Sequence, residues 1–279
     1  MSEIPTRQRG RPGYPESLET IADPPARLWV LGSIPEQVGV AIVGTRRATR
    51  YGLSLARDMG AAVGAAGWPV VSGLARGIDG AAHRGCVEVG GTGVAVLGCG
   101  VDIWYPREHQ QLGESLIAGG GAVISEYPPG THPEPWRFPA RNRIISGLSA
   151  VVVVVEAAEK GGALITARLA AEHGREVFAF PGDVSRRTSV GTNLLIRDGA
   201  LPVLGSDDLI EALSLVMGPP PAGARKDREP LEIDIPVGGA TLEEVIEANG
   251  GDAGAVLATL GRLEAAGKIG IESGEVSIR

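Results

Sequence analysis

Val38-Gly39-Val40-Ala41-Ile42-Val43-Gly44-Thr45-Arg46-Arg47 decides the fold. A nearly unbroken apolar run ends in a glycine, a hydroxyl and two guanidiniums, and a helical stretch, Arg50–Ala65, follows. A strand buried on both faces reads this way, whereas a strand with one wet face would alternate. The same grammar continues in both directions. Further apolar runs lie at Leu28–Leu31, Pro69–Val71, Gly93–Leu97, Ala122–Ile124, Ala150–Val155, Glu176–Phe180 and Pro202–Leu204. Helical stretches such as Asp79–Val89 and Ala163–His173 separate most of them. Strand–helix alternation with wholly apolar strands predicts a parallel sheet covered on both faces.

The expected class is therefore α/β: an extended, Rossmann-like, doubly wound and mostly parallel sheet spanning residues 28–215. Residues 1–27 are rich in Pro and Arg, show little periodicity and read as an extended arm. A Pro-rich linker, 216–230, contains Pro219-Pro220-Pro221 and predicts a semi-rigid spacer. Residues 231–279 form a second unit. Thr241 and Glu244 make a capping box, Asp252 caps a second helix that ends at Gly267, and a hairpin turns at Ser273-Gly274. Helix, helix and hairpin resemble a winged helix.

The 279 residues are 43% hydrophobic and 21% charged, an ordinary globular composition. The N-terminus lacks the apolar core of a signal peptide, and the longest apolar run is far short of a membrane span, so a cytoplasmic location is expected. Cys86 and Cys99 are the only cysteines, and the four histidines are scattered. Neither a metal site nor a disulfide framework is expected.

In an open α/β sheet, ligands sit beyond the carboxyl ends of the strands. The segments there pair glycine or small residues with polar and cationic ones: Gly44, Thr45 and Arg46; Ser72, Gly73 and Arg76; Arg107; a long loop reaching Phe138, Arg141, Asn142 and Arg143; Lys160, Gly161 and Gly162 opening a helix that carries Thr166; and Asn193 beyond Pro181-Gly182. Glycines let a backbone approach a ligand, helix N-termini offer bare amides to phosphate, and arginine supplies a bidentate fork. Net charge is −7 overall, yet residues 36–215 hold 16 basic groups, and 11 of them fall in these loops or their flanks. The rim is expected to attract a polyanion.

Several chemistries lack their motif. Gly98-x-Gly100 is followed by Ile103, so the dinucleotide fingerprint is absent, and neither a P-loop nor a nucleophile elbow is present. No cofactor and no catalytic residue is expected. Residues 241–279 hold three basic and seven acidic groups, too few cations for a duplex reader, so this unit is expected to touch protein.

These residues closely resemble the DNA-processing DprA (Smf) family. The resemblance rests on Val43-Gly44-Thr45-Arg46, Val71–Asp79 with Ala82-His83, Tyr105-Pro106 and Phe138-Pro139-x-Arg141-Asn142-Arg143-Ile144-Ile145-Ser146-Gly147-Leu148-Ser149. It rests equally on Gly162–Ala167, Pro181-Gly182 and Gly191–Ile196. It implies sequence-independent binding of single-stranded DNA, loading of the RecA recombinase during natural transformation, and a homodimer built through the Rossmann-like domain. Phe138 becomes a candidate platform for a base. Members often carry Ser where this chain has Thr45, which keeps the hydroxyl. Two other readings stand beside this one. The first is a phosphoribohydrolase-like enzyme using the same glycine-rich site, with Glu156 or Glu126 as acid or base. The second is an adaptor whose rim takes an acidic protein surface.

Overall fold

The computed structural model describes residues 4–221, 233, 235, 239–249, 253–265, 269–272 and 274–278. The chain divides into two compact units, Met1–Ala224 and Arg225–Arg279.

Among the described residues the first unit holds nine strands: β1 Thr6–Gln8, β2 Arg27–Gly32, β3 Gly39–Val43, β4 Val70–Ser72, β5 Gly93–Val96, β6 Ala122–Ser125, β7 Ser149–Val154, β8 Glu176–Ala179 and β9 Leu201–Pro202. Its helices are α1 Glu16–Glu19, α2 Arg50–Ala65, α3 Ile78–Glu88, α4 Gln110–Ala118, α5 Arg137–Gly147, α6 Gly162–Glu172, α7 Val190–Arg197 and α8 Ser206–Met217. The strands form one sheet in the order β1-β2-β6-β5-β4-β3-β7-β8-β9. From β6 through to β9 every pairing is parallel, while β1 and β2 join antiparallel.

Alternation along the strands sorts the core onto two faces. Ala41, Val43, Val152 and Val154 pack with Ile144, Ile145 and Ala167 of α5 and α6. Val40, Ile42, Val151 and Val153 pack instead with Met59, Val63, Ile78 and Leu209 of α2, α3 and α8. A strand whose successive side chains enter opposite cores has no polar position, which is why the runs were unbroken. Helices α2 and α3 touch backbone to backbone at Gly60 and Gly85, where an added Cβ would strike the carbonyls of Ala82 and Arg57.

Two expectations change. The segment before residue 28 is no free arm: β1 pairs with β2, and Tyr14, Leu18 and Ile21 are buried in the core beside α5. Its few apolar residues are spaced to fit that groove and not to a helical or strand period. The long loop after β6 ends at Trp136, and Phe138, Arg141, Asn142 and Arg143 stand on α5. Pro139 masked this helix, but in a first turn proline removes no hydrogen bond.

The second unit contains β10 Ala240–Thr241, α9 Leu242–Ala248, α10 Ala253–Ala265, β11 Ile269–Glu272 and β12 Glu275–Ile278, with sheet order β10-β12-β11. The capping box forms, Thr241 accepting from the Glu244 amide and Glu244 accepting from that of Thr241. Val245, Val256, Leu260, Ile269 and Val276 make its core. Asp252, Gly267, Ser273 and most of the linker lie outside the described residues.

Candidate nucleic-acid interface

The strand order reverses its direction of growth between β3 and β7. Successive loops there leave toward opposite faces and open a crevice. The cleft at this point has a volume of about 850 Å³. One wall is Gly44, Thr45, Arg46 and Arg47, after β3. The other is Lys160, Gly161 and Gly162, with Thr166 and Arg168 of α6. Phe138, Pro139, Arg141 and Asn142 of α5 close the third side. A smaller pocket of about 180 Å³ shares Arg46, Arg47, Tyr105, Phe138 and Arg141 with the cleft and adds Gly73, Arg76 and Pro106.

Glu156 stitches the first two walls together. Its backbone carbonyl accepts from the Thr45 amide at 2.8 Å. Its buried carboxylate accepts from the Thr49 amide at 2.9 Å and the Thr49 hydroxyl at 2.6 Å. Thr49 in turn caps α2 by accepting from Gly52. The carboxylate thus completes a helix cap, where the macrodipole favours negative charge. Glu126 is also engaged, in an ion pair with Arg143. Both carboxylates named for a phosphoribohydrolase-like reaction already have partners.

Arg46, Arg47 and Lys160 are exposed, and among the described residues none of them has an ion-pair partner. The Arg46 guanidinium lies 4.7 Å from the Phe138 ring centre. A Cβ at Gly161 would meet nothing within 4 Å, so the backbone at the start of α6 can be approached from that side. Asn142 braces this wall, donating to the Gly162 carbonyl at 3.1 Å, and the Thr166 hydroxyl donates to the same oxygen at 3.2 Å.

Arg141 lies under the cleft and is only 3% exposed. Its guanidinium donates to the Gly73 carbonyl at 2.9 Å and to the Val96 carbonyl. The Gly73 amide donates to Asp79 at 3.1 Å. A side chain at position 73 would sit 2.5 Å from one Arg141 nitrogen and 2.6 Å from the Asp79 carboxylate, so only glycine fits between them. Burial lowers the Arg141 pKa to about 10, with Asp79 opposing. Burial likewise raises Asp79, with Arg141 opposing. Each charge is tolerated because the other is near.

Other expected site residues stand elsewhere. Ser72 is fully buried and donates to the Ile42 carbonyl at 2.6 Å, so its hydroxyl faces the sheet and not a ligand. Arg143 forks onto Glu126 at 2.6 and 2.7 Å and reaches Asp23 at 2.9 Å. Burial opposes its charge, but those two carboxylates outweigh it and hold its pKa above the ordinary value. A guanidinium held at both ends by carboxylates offers no fork to phosphate. Arg76 forks onto Glu108 at 2.6 and 2.9 Å at the exposed edge of the small pocket. Arg107 opens a single 3-10 turn, Arg107–His109, outside the lining of either pocket. Asn193 clamps Gly182, accepting from its amide and donating to its carbonyl, and so shapes the loop after β8. Arg47 and Arg168, which the sequence did not single out as site residues, do line the cleft. The signal for Arg168 was helical spacing, since it lies one turn after Ile165 on the outer face of α6.

No group of His, Cys, Asp and Glu side chains among the described residues is arranged to hold a metal ion. None of the described helices is long and apolar enough to cross a membrane.

Comparison with known proteins places the chain in a family. The sequence model described as "DNA recombination-mediator protein A" matches residues 6–214. Protein Smf of Escherichia coli K12 is 44% identical over 202 residues, which cover 72% of this chain and 54% of the relative. The DNA processing protein DprA of Bacillus subtilis 168 is 42% identical over 203 residues, covering 72% and 68%. The chain thus spans about half the length of the E. coli relative. The crystal structure of DprA from Streptococcus pneumoniae superposes with a TM-score of 0.69 at 38% identity, over 75% of this chain and 74% of that one. A structure of DprA from Helicobacter pylori, described for its single-stranded DNA binding mode, gives 0.66 at 29% identity, over 75% and 96%.

Proposed function

The chain belongs to the DNA recombination-mediator protein A family, and on that premise we propose that its switch-point cleft holds single-stranded DNA without regard to sequence. The finer role is to present that strand to the RecA recombinase during natural transformation. The protein acts by binding, not by turnover.

One observation carries the reading: four exposed cations without ion-pair partners among the described residues, Arg46, Arg47, Lys160 and Arg168, line one cleft together with the Gly161-Gly162 start of α6. Cations supply affinity for a phosphate chain, and amides at a helix start add donors at fixed positions. Phe138 and Tyr105, with ring centres 5.4 Å apart, supply faces for bases, which a single strand exposes and a duplex hides. A homodimer through this domain is supported by the sheet edge at β9, where Leu201 is 46% exposed, and by Leu204 just beyond it, 78% exposed.

The test is a salt series of anisotropy titrations on single strands and duplexes of equal length. Single strands should bind more tightly, with affinity falling by a logarithmic slope of about 0.7 per neutralised phosphate. Arg46→Glu should weaken every sequence alike, by roughly tenfold or more. Equal affinity for duplex, or an Arg46→Glu protein that binds like wild type, would sink the proposal.

A further inference from the structure

The chain has only three Phe, four Tyr and four Trp. Four of these eleven rings, Tyr105, Tyr127, Phe138 and Trp136, gather around the start of α5. They form two separate stacks with guanidiniums. Arg46 lies on Phe138, which also meets Tyr105. Arg137 lies 4.9 Å from the Trp136 ring centre and 5.1 Å from that of Tyr127, and the two rings meet edge to face at 6.4 Å. Arg137 also donates to the His132 carbonyl. Its guanidinium is therefore held between two rings and a carbonyl, which fixes the indole in place.

Trp136 is nevertheless 62% exposed. An indole left in water forgoes the burial that large aromatics normally obtain, and a cation–ring clamp that holds it there is characteristic of a contact surface. Its position says which contact. Pro135 and Phe138, on either side in the chain, line the cleft, so Trp136 stands at the lip next to the Phe138 stack. The geometry points to Trp136 as a further platform for an unpaired nucleobase, beyond the Phe138–Tyr105 pair. The inference rests on the cleft being a single-strand site. A strand leaving the cleft past Phe138 on the side of Pro135 meets a solvent-facing indole. Such a surface suits any base, because every base has a π-face.

The experiment uses the full chain, an oligothymidine, and an abasic sugar-phosphate strand of the same length. Trp136→Ala should bind oligothymidine about tenfold more weakly with an unchanged salt slope, and bind the abasic strand like wild type. Trp136→Phe should keep most of the affinity while losing the tryptophan fluorescence quenching that oligothymidine produces in wild type. If Trp136→Ala binds both strands like wild type, the indole serves some other partner and the inference fails. If it weakens both strands equally, the residue merely supports the cleft and the inference also fails. Arg46→Glu separates this from the broader reading: an Arg46→Glu protein that binds like wild type would discredit the cleft itself, whatever Trp136→Ala does.

Discussion

Arg46 and Arg141 line the same cleft with the same functional group, and they do opposite things. Arg46 is exposed, rests on a ring, and has its charge available. Arg141 is buried, donates to two backbone carbonyls, and neighbours Asp79. The contrast extends to whole regions. The β3 and β7 loops carry cations without ion-pair partners, whereas the cations of α5 are committed: Arg137 to rings, Arg141 to the cleft floor, Arg143 to two carboxylates. Counting arginines along the rim therefore overstates the grip on phosphate. Burial and partners decide which guanidiniums are free to meet a ligand and which hold the protein.

The largest expected effect tests the committed side. Arg141→Leu leaves two carbonyls unpaired and Asp79 without its compensating charge, and should cost about 3–5 kcal/mol in urea unfolding. Arg46→Ala, losing one exposed cation–ring contact, should cost less than about 1 kcal/mol. If the two variants are equally stable, the division between the walls collapses.

A pH series probes the same buried side. His83, on α3, is fully buried, and burial pushes its pKa from 6.5 down to about 3. The unfolded chain therefore takes up a proton below about pH 6.5 that the folded chain refuses until near pH 3. Stability from this group is complete above the unfolded value and is lost as pH falls through that window, by about 1.4 kcal/mol per pH unit. His83→Leu should flatten the fall in urea midpoint between pH 7 and pH 5. Parallel curves for wild type and variant would remove His83 as the cause.

The smallest effect sharpens the comparison by moving one residue across it. Arg76 is held by Glu108, but both side chains are exposed, at 65% and 52%. Glu108→Gln should release the guanidinium beside the small pocket. The expected result is a single-strand affinity a few fold higher and a salt slope steeper by about 0.7. An unchanged slope would mean that Arg76 faces away from the path of the strand.

Much of this was legible in the chain. Unbroken apolar runs such as Ala150–Val155 marked doubly buried strands, and the order of strands and helices placed the glycine-rich turns at one end of a sheet. Gly44-Thr45-Arg46 and Lys160-Gly161-Gly162 were recognisable because local chemistry, small residues beside cations at a helix start, is written locally. The first 27 residues were not legible. Tyr14, Leu18 and Ile21 acquire meaning only against the α5 surface they cover, more than a hundred residues away. Nor was the start of α5, because proline there looks like a breaker until its place in the first turn is known.

Sequence alone determined the α/β class and the end of the sheet at which the candidate site lies, because both follow from periodicity and local pattern, and its motifs carried the resemblance to the family. Tertiary structure alone decided the role of each charged group. Whether Arg143 meets Glu126 and Asp23, whether Glu156 caps α2 across the crevice, and whether Ser72 faces solvent or the sheet depend on contacts between segments distant in the chain. The physical reason is that a charge takes its free energy from its surroundings. Those surroundings exist only once the strands have paired and the helices have closed over them.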